Sequence, residues 1–347
     1  MPRANRSEPM PVRYWSSAGL LITYRCNARC ASCYLCCGPE RDEQMTVESA
    51  VAIWQGLIQA SPHGCKVHVS GGEPFTDWPL LIEICRAARR AGLGPLVKVE
   101  TNAFWAADDQ IVRQYVTALD DAGMAKLCIS VDPYHQQYVP LERARLAAAV
   151  AEELLGAGRV QVRWRDWLDG GFGTGSLSPA DRRGVFAEYA ARGRDRFNGR
   201  AAESLAPYMK LKPLELLADS PCRGMLLRGR HVHVDGGGRV MPGTCAGILL
   251  GRCGRQTVSD LWRRLDEDHA ARAIVGTLAS RGPAGLLEQA KAAGFTPARQ
   301  YADKCHLCWD IRRWFVRHGM HERELGPQWL YLDDDRLNTQ TERKGQA

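Results

Sequence analysis

Cys26, Cys30 and Cys33 stand at C-x3-C-x2-C spacing directly behind an apolar run at 20–24. Thiolates are soft ligands for zinc and for iron–sulfur clusters. Each iron of a four-iron cluster needs a ligand, so three protein thiolates would leave one iron open to a small molecule. The same residues also fit a zinc knuckle or an ordinary cluster. A second set follows far along the chain: Cys222, Cys245, Cys253 and the C-x2-C pair Cys305 and Cys308. That pair alone points to a structural zinc site with four cysteine ligands. Cys36 and Cys37 lie beside the first set, and the sequence leaves open whether either ligates. Cys65, Cys85 and Cys128 fall in or beside predicted core elements and read as small buried hydrophobes.

Polar residues recur where predicted strands end. Gly71-Gly72-Glu73-Pro74 closes the alternating run 66–70; two glycines let backbone approach a ligand closely, and a carboxylate such as Glu73 can take an ammonium. Thr101-Asn102 ends the next run and Ser130-Val131-Asp132 the one after. Asp132 with Tyr134 and His135 places an ionisable pair near any substrate bound there. Arg163 and Arg165 are expected on one face of the following strand. Each of these also has a plain reading as a turn residue or helix cap, and His135 as a loop residue.

The elements that must position them alternate. Thr46 opens a helix with Glu48 in its first turn and Val47, Val51, Trp54 and Ile58 as its apolar stripe. Strands are predicted at 20–24, 66–70, 96–101, 126–132 and 160–167, and helices at 79–91, 108–122 and 141–157. Such βα repetition gives an α/β fold with a parallel sheet closed or partly closed as a barrel, and ligands sit at the C-terminal strand ends. A Gly-rich stretch at 168–175 breaks the rhythm and a helix capped by Ser178 follows. A weak sixth strand is expected around 208–216. Beyond it come a hairpin at 230–234 and 239–241 around a Gly turn, a helix at 259–271, and the late cysteine pair. The polar tail begins at 319, and 338–347 is expected to be disordered.

At 347 residues and 45% hydrophobic composition, the chain can fill a large core. A net charge of +7 with arginine dispersed among acids argues against a dedicated nucleic-acid binder. No run approaches the roughly 20 apolar residues of a membrane span, and the first thirteen residues lack the apolar core of a signal peptide. A cytoplasmic protein without membrane partners is expected. Thirteen cysteines, an odd number, are then better explained by metal or cluster ligation than by disulfides.

With G-G-E-P about forty residues after C-x3-C-x2-C and at the next strand end, the chain resembles the radical S-adenosylmethionine (SAM) superfamily. The resemblance spans 18–309. It implies a partial (βα)6 barrel whose [4Fe-4S] cluster is held by Cys26, Cys30 and Cys33 and binds SAM on its open iron. Gly71, Gly72, Glu73 and Pro74 would receive the amino group of SAM. Asn102 and Ser130 would serve its ribose hydroxyls and carboxylate, with Arg163 or Arg165 on the carboxylate. Asp132 and His135 would be the catalytic candidates. The superfamily often has an aromatic residue before the third cysteine, whereas this chain has Ser32, with Tyr34 on the other side.

The later cysteines resemble the twitch or SPASM extension of such enzymes. This implies a second, auxiliary [4Fe-4S] cluster on Cys222, Cys245, Cys305 and Cys308, with Cys253 as a spare, and the zinc alternative stays open. The expected organisation is an extension at 1–17, a radical SAM partial barrel at 18–220, a small α+β auxiliary domain at 221–318 and a tail at 319–347. Reductive cleavage of SAM would yield a 5′-deoxyadenosyl radical that abstracts hydrogen from a small molecule or a peptide. Flavodoxin or ferredoxin would be the electron donor. A peptide-modifying SPASM-type enzyme and a non-catalytic iron–sulfur or zinc protein are the alternatives. The twenty-five residues before Cys26 are too few for a leader-peptide-binding domain, so a peptide would need a separate partner or a grip from 170–175 and 309–317. Deletion of 319–347 is expected to leave SAM cleavage intact.

Overall fold

The computed structural model describes residues 11–333 except 172, 194, 218, 219, 244 and 255; the expectation of disorder at 338–347 lies outside the described residues. The first half alternates as expected: β1 (Ser17–Leu21), α1 (Val47–Ala60), β2 (Lys66–Ser70), α2 (Trp78–Arg90), β3 (Leu96–Thr101), α3 (Asp109–Asp121), β4 (Leu127–Ser130), α4 (Leu141–Leu155) and β5 (Val160–Arg163). Side-chain caps set the helix starts. Thr46 accepts from the Ser49 amide, Asp77 from Leu80 and Asp108 from Ile111, each satisfying an amide that has no partner within the helix. The buried stripe of α1 is Ala50, Ile53, Trp54 and Leu57. Of the four expected residues only Trp54 is fully buried, because the helix turns its packed face by about one residue position.

Then come α5 (Arg165–Gly170), α6 (Pro179–Ala191, capped by Ser178), α7 (Arg200–Ser204), β6 (Lys212–Pro213), α8 (Arg223–Leu226), β7 (His231–Asp235), β8 (Arg239–Pro242), β9 (Gly251–Arg252), α9 (Val258–Asp268), α10 (Val275–Arg281), α11 (Pro283–Ala292), β10 (Gln300–Tyr301), α12 (Lys304–Arg317) and α13 (Gln328–Tyr331).

The main sheet has eight strands in the order β5-β4-β3-β2-β1-β7-β8-β9. Strands β1 to β5 are parallel to their neighbours, and β7 lies parallel to β1, with Gly19 opposite His68 on one side and His233 on the other. The α/β class is therefore as expected, with one correction. The sixth parallel strand is β7, the first strand of the hairpin. The stretch 208–216 contributes only the short β6, paired with β10 in a separate two-stranded sheet. Pro213 and the 3-10 turn Leu214–Leu216 prevent a longer strand there. The β1 residues Ala18, Leu20 and Leu21 are wholly buried, as are Val67, Val69, Val99 and Leu127, as befits a parallel sheet covered on both faces. Among the described residues no helix is long and apolar enough to cross a membrane.

Strand β5 ends four residues earlier than predicted. Trp164 adopts a left-handed conformation (φ 60°) and stacks on Tyr189 at 5.0 Å, so the alternation VQVRWRDW does not continue as a strand.

Candidate active site

A cavity of about 680 Å³ opens at the C-terminal ends of β1 to β5. It is lined by Cys26, Cys30 and Cys33, by Gly71, Gly72 and Glu73, and by Asn102, Ser130, Asp132, His135 and Arg163. Four separate strand ends and one loop thus bring the expected residues together. Pro74 and Arg165 do not line it. Pro74 is buried at the start of a 3-10 turn. Arg165 begins α5 and pairs with Glu152 at 2.5 Å, because the backbone has already left the strand at Trp164.

The glycines serve packing between strand ends. A Cβ on Gly71 would collide with the Thr23 carbonyl oxygen, and one on Gly72 with that of Arg25. The amides of Gly72 and Glu73 donate to those same carbonyls at 2.7 and 2.9 Å. The end of β2 is thereby fixed to the segment that runs into Cys26. Glu73 accepts from the Phe75 amide (3.2 Å), the Thr101 hydroxyl (2.8 Å) and the Asn102 amide (2.6 Å). Burial pushes its pKa up to about 7, against the pull of those hydrogen bonds. Asn102 is a turn residue too, its Oδ1 accepting from the Phe104 amide and its Nδ2 donating to Asn27 at 2.9 Å. Arg163 is held at 2.7 Å by Glu100, which also takes Lys98 at 2.6 Å and the Ser70 hydroxyl at 2.9 Å.

Asp132 and His135 form an ion pair of 2.7 Å between Oδ2 and Nδ1, while Asp132 Oδ1 accepts the amides of Tyr134 and His135. Burial opposes charge on His135, but Asp132 outweighs it and raises the imidazole pKa.

The cysteine loop is tuned and clamped. Cys33 receives the Cys37 thiol and, at 3.4 Å, the Cys37 amide. These donors bring its pKa down to about 5 despite burial. Burial instead raises the pKa of Cys26 and of Cys30. Arg200, 4% exposed, donates to the carbonyls of Cys30 (3.0 Å) and Cys37 (2.9 Å) and to Asp333 (3.0 Å). Arg41 donates to the Cys36 carbonyl at 3.2 Å and pairs with Asp333, and Arg29 reaches Asp333 at 3.4 Å. Asp333 thus pairs with three arginines around the loop. The tail through Asp333 is therefore part of the loop's support, and deletion of 319–347 would remove these contacts. Sequence reasoning missed Arg41, Arg200 and Asp333 because nothing local marks partners 133 and 292 residues apart.

Cys222, Cys245, Cys305 and Cys308 gather elsewhere. Cys308 acts electrostatically on each of the other three, and Cys245 on Cys305. Cys305 and Cys308 occupy the first turns of α12, whose N-cap Asp303 accepts from the His306 amide at 2.8 Å. Buried Arg312, one turn on, lies near Cys245 and Cys308 and donates to Ala246 (2.8 Å) and Tyr331 (2.6 Å). Its Nε has no partner among the described residues. Cys253 is influenced by Asp235 and by none of these four cysteines.

The structure also converges three histidines that sequence reasoning passed over. His68, His231 and His233 line the cavity, and burial depresses all three, His68 to about 3 and His231 to about 4. H-x-H on a strand was the available signal, since alternate residues share a face.

The chain matches no family model and none of the curated proteins. Among solved structures it is similar to BtrN in complex with AdoMet and 2-DOIA, at 13% identity, covering 78% of this chain and 90% of that one, with a TM-score of 0.46. It is also similar to anSMEcpe with bound AdoMet and Cp18Cys peptide, at 14% identity, covering 93% of this chain and 98% of that one, with a TM-score of 0.44.

Proposed function

We propose that this chain is a radical SAM enzyme, in which Cys26, Cys30 and Cys33 hold a [4Fe-4S] cluster and leave one iron for SAM. The observation that carries this reading is the convergence of the three cysteines with the Gly71-Gly72-Glu73 strand end on one cavity. The donor chemistry fits: three thiols on one loop, one of them already favoured as thiolate, with a buried guanidinium behind the loop to balance negative charge. A cluster held there by Cys26, Cys30 and Cys33, once reduced by a one-electron donor of the flavodoxin or ferredoxin type, would supply the electron for reductive cleavage of SAM to methionine and a 5′-deoxyadenosyl radical able to take a hydrogen atom from substrate.

The chain's residues bind and orient. A carboxylate has about four acceptor sites, so Glu73, with three in use, has room for the SAM ammonium. The Gly71 and Gly72 strand end borders the same space without side chains. Ser130 lines the wall between Asn102 and Arg163 and is available to a ribose or carboxylate oxygen. Asp132 occupies His135 Nδ1, so Nε2 is the atom that holds or passes a proton on the substrate side.

The gathering of Cys222, Cys245, Cys305 and Cys308 supports a second, auxiliary [4Fe-4S] cluster with a complete protein shell. No three of their sulfurs lie mutually within 4.8 Å. A zinc ion with bonds of about 2.3 Å would need sulfurs roughly 3.8 Å apart. The orphan Nε of Arg312 suits the sulfur atoms of an anionic cluster. The charged lining, with Lys98, Glu100 and Arg163 fixed to one another, favours a small polar substrate over a long peptide.

The test is anaerobic incubation of the reconstituted protein with SAM and dithionite. 5′-Deoxyadenosine should form and should vanish with Cys26→Ala, Cys30→Ala and Cys33→Ala combined. A fully reconstituted wild type that yields none overturns the assignment.

A further inference from the structure

The cavity holds a second constellation that the SAM reading does not use. Ring nitrogens of His68, His231 and His233 lie within 4.8 Å of one another, and among the described residues no other group of three or more such ligands does so. Register explains the convergence. Gly19 on β1 faces His68 on β2 and His233 on β7, so two rings from strands on either side meet above a residue with no side chain. A Cβ on Gly19 would stand 2.5 Å from His233 Cδ2 and 2.6 Å from His68 Nε2. Gly19 is needed for the space it leaves.

The His233 tautomer is set from behind. His233 Nδ1 donates to the Gly243 carbonyl at 2.6 Å, which leaves its Nε2 as a lone pair. His231 Nδ1 is engaged by the Ser17 hydroxyl at 2.9 Å, and its Nε2 points at that of His233 from 3.4 Å. Metal–nitrogen bonds of about 2.0–2.1 Å at tetrahedral angles put neighbouring nitrogens roughly 3.3–3.4 Å apart. Glu100 stands 3.8 Å from His68 Nε2. Its oxygens are taken by Lys98, Arg163 and Ser70, so it contributes negative charge beside the site.

We propose that His68, His231 and His233 bind one divalent transition-metal ion inside the cavity. Three imidazoles select first-row ions such as zinc, iron, cobalt or nickel over magnesium or calcium. Three protein ligands leave a position open, and the residues around it line the same cavity as the cysteine loop. A substrate with an oxygen or nitrogen donor would be anchored there, on the sheet side of the space. Metal binding is independent of SAM cleavage, so the two readings fail separately.

The experiment uses Co2+ as probe, because its X-ray absorption edge is distinct from that of iron. Full-length protein with its iron–sulfur content reconstituted is incubated anaerobically with Co2+, desalted, and analysed for cobalt and iron and by cobalt-edge absorption. The expected result is about one cobalt per chain, surrounded by imidazole nitrogen. Retention should fall at least tenfold in His68→Gln with His233→Gln, and in Gly19→Ala, with iron content unchanged. No retained cobalt in wild type, sulfur neighbours at the cobalt, or undiminished cobalt in the double variant would each overturn the proposal. The wild-type absorption spectrum reads the ligands directly, so a variant that fails to fold does not disable the test.

Discussion

Two sets of cysteines in one chain are held in contrasting ways. Cys26, Cys30 and Cys33 sit on a loop that faces a large cavity, and the support comes from behind. Arg200 and Arg41 grip the loop's carbonyls, and Asp333 pairs with both from the far end of the chain. Cys222, Cys245, Cys305 and Cys308 instead come from the start of α8, the end of the hairpin and the start of α12, and three of them, Cys222, Cys245 and Cys308, lie near a buried cation, Arg312, outside the cavity lining. On the proposed reading, the difference is that between a site that accepts a further ligand and a site that closes on itself. The first would have its structural support on the backbone, so that its mouth stays free. The second would use its side chains to complete a shell.

The comparison breaks most visibly at the open set. Cys26→Ala, Cys30→Ala and Cys33→Ala together should abolish 5′-deoxyadenosine formation and remove about four of roughly eight irons, while the closed set keeps its own four. Loss of all iron would show that the two sites do not assemble independently.

Next in size is the clamp. Asp333→Ala leaves Arg41 and Arg200 buried without their carboxylate, and breaking such a pair costs about 3–5 kcal/mol. The expected outcome is a drop of more than a hundredfold in SAM cleavage and selective loss of iron from the open set, with α12 and its quartet retained. Iron analysis beside a denaturant titration measures both. Full activity in a truncation ending before Asp333 would contradict the clamp.

What the sequence made legible follows from range. Hydrophobic alternation and capping residues act over a few positions, and they locate β2 to β4 and α1 to α4, whereas β1 (Ser17–Leu21) begins three residues ahead of the apolar run at 20–24 from which it is expected. Parallel pairing of β7 with β1 carries no local mark, so the sixth strand was sought at 208–216 from weak alternation. Arg165 was misplaced because tryptophans continue an alternating pattern while the backbone leaves it at Trp164. Glu73 is legible as a site residue, but its two bonds across to the end of β3, from Thr101 and Asn102, are not, since they depend on which strand lies alongside. Asp333 and the third histidine required the folded chain.

A smaller effect separates the two sets by pH. Burial holds Glu73 protonated up to about pH 7, so its charge appears as pH rises through that value. An ammonium ligand needs the charged form, so SAM affinity should rise roughly eightfold between pH 6 and 7.5. Stability runs the other way. The folded state keeps the Glu73 proton that the unfolded chain releases between about pH 4.3 and 7, so this group's contribution falls as pH rises across that window. Glu73→Gln should flatten both profiles. Equilibrium binding of SAM over this range is the measurement, and a flat wild-type profile would remove Glu73 from the ammonium site.

The smallest effect on SAM cleavage belongs to the closed set, and it sharpens the comparison most. Cys305→Ala with Cys308→Ala removes both ligands that α12 presents from its first turns. The quartet should then lose its metal entirely, about four irons, because two remaining thiols cannot hold a cluster. Cleavage of SAM without substrate should change by no more than a few-fold, since neither residue lines the cavity. Substrate turnover should fall much further if the quartet passes electrons to or from the substrate radical. Metal analysis distinguishes the possibilities in one sample: eight irons falling to four supports a closed iron–sulfur site, whereas four irons unchanged and one zinc lost would assign the quartet to structure. In that second case Arg312 would have no cluster to face, and the orphan Nε–H would need another acceptor.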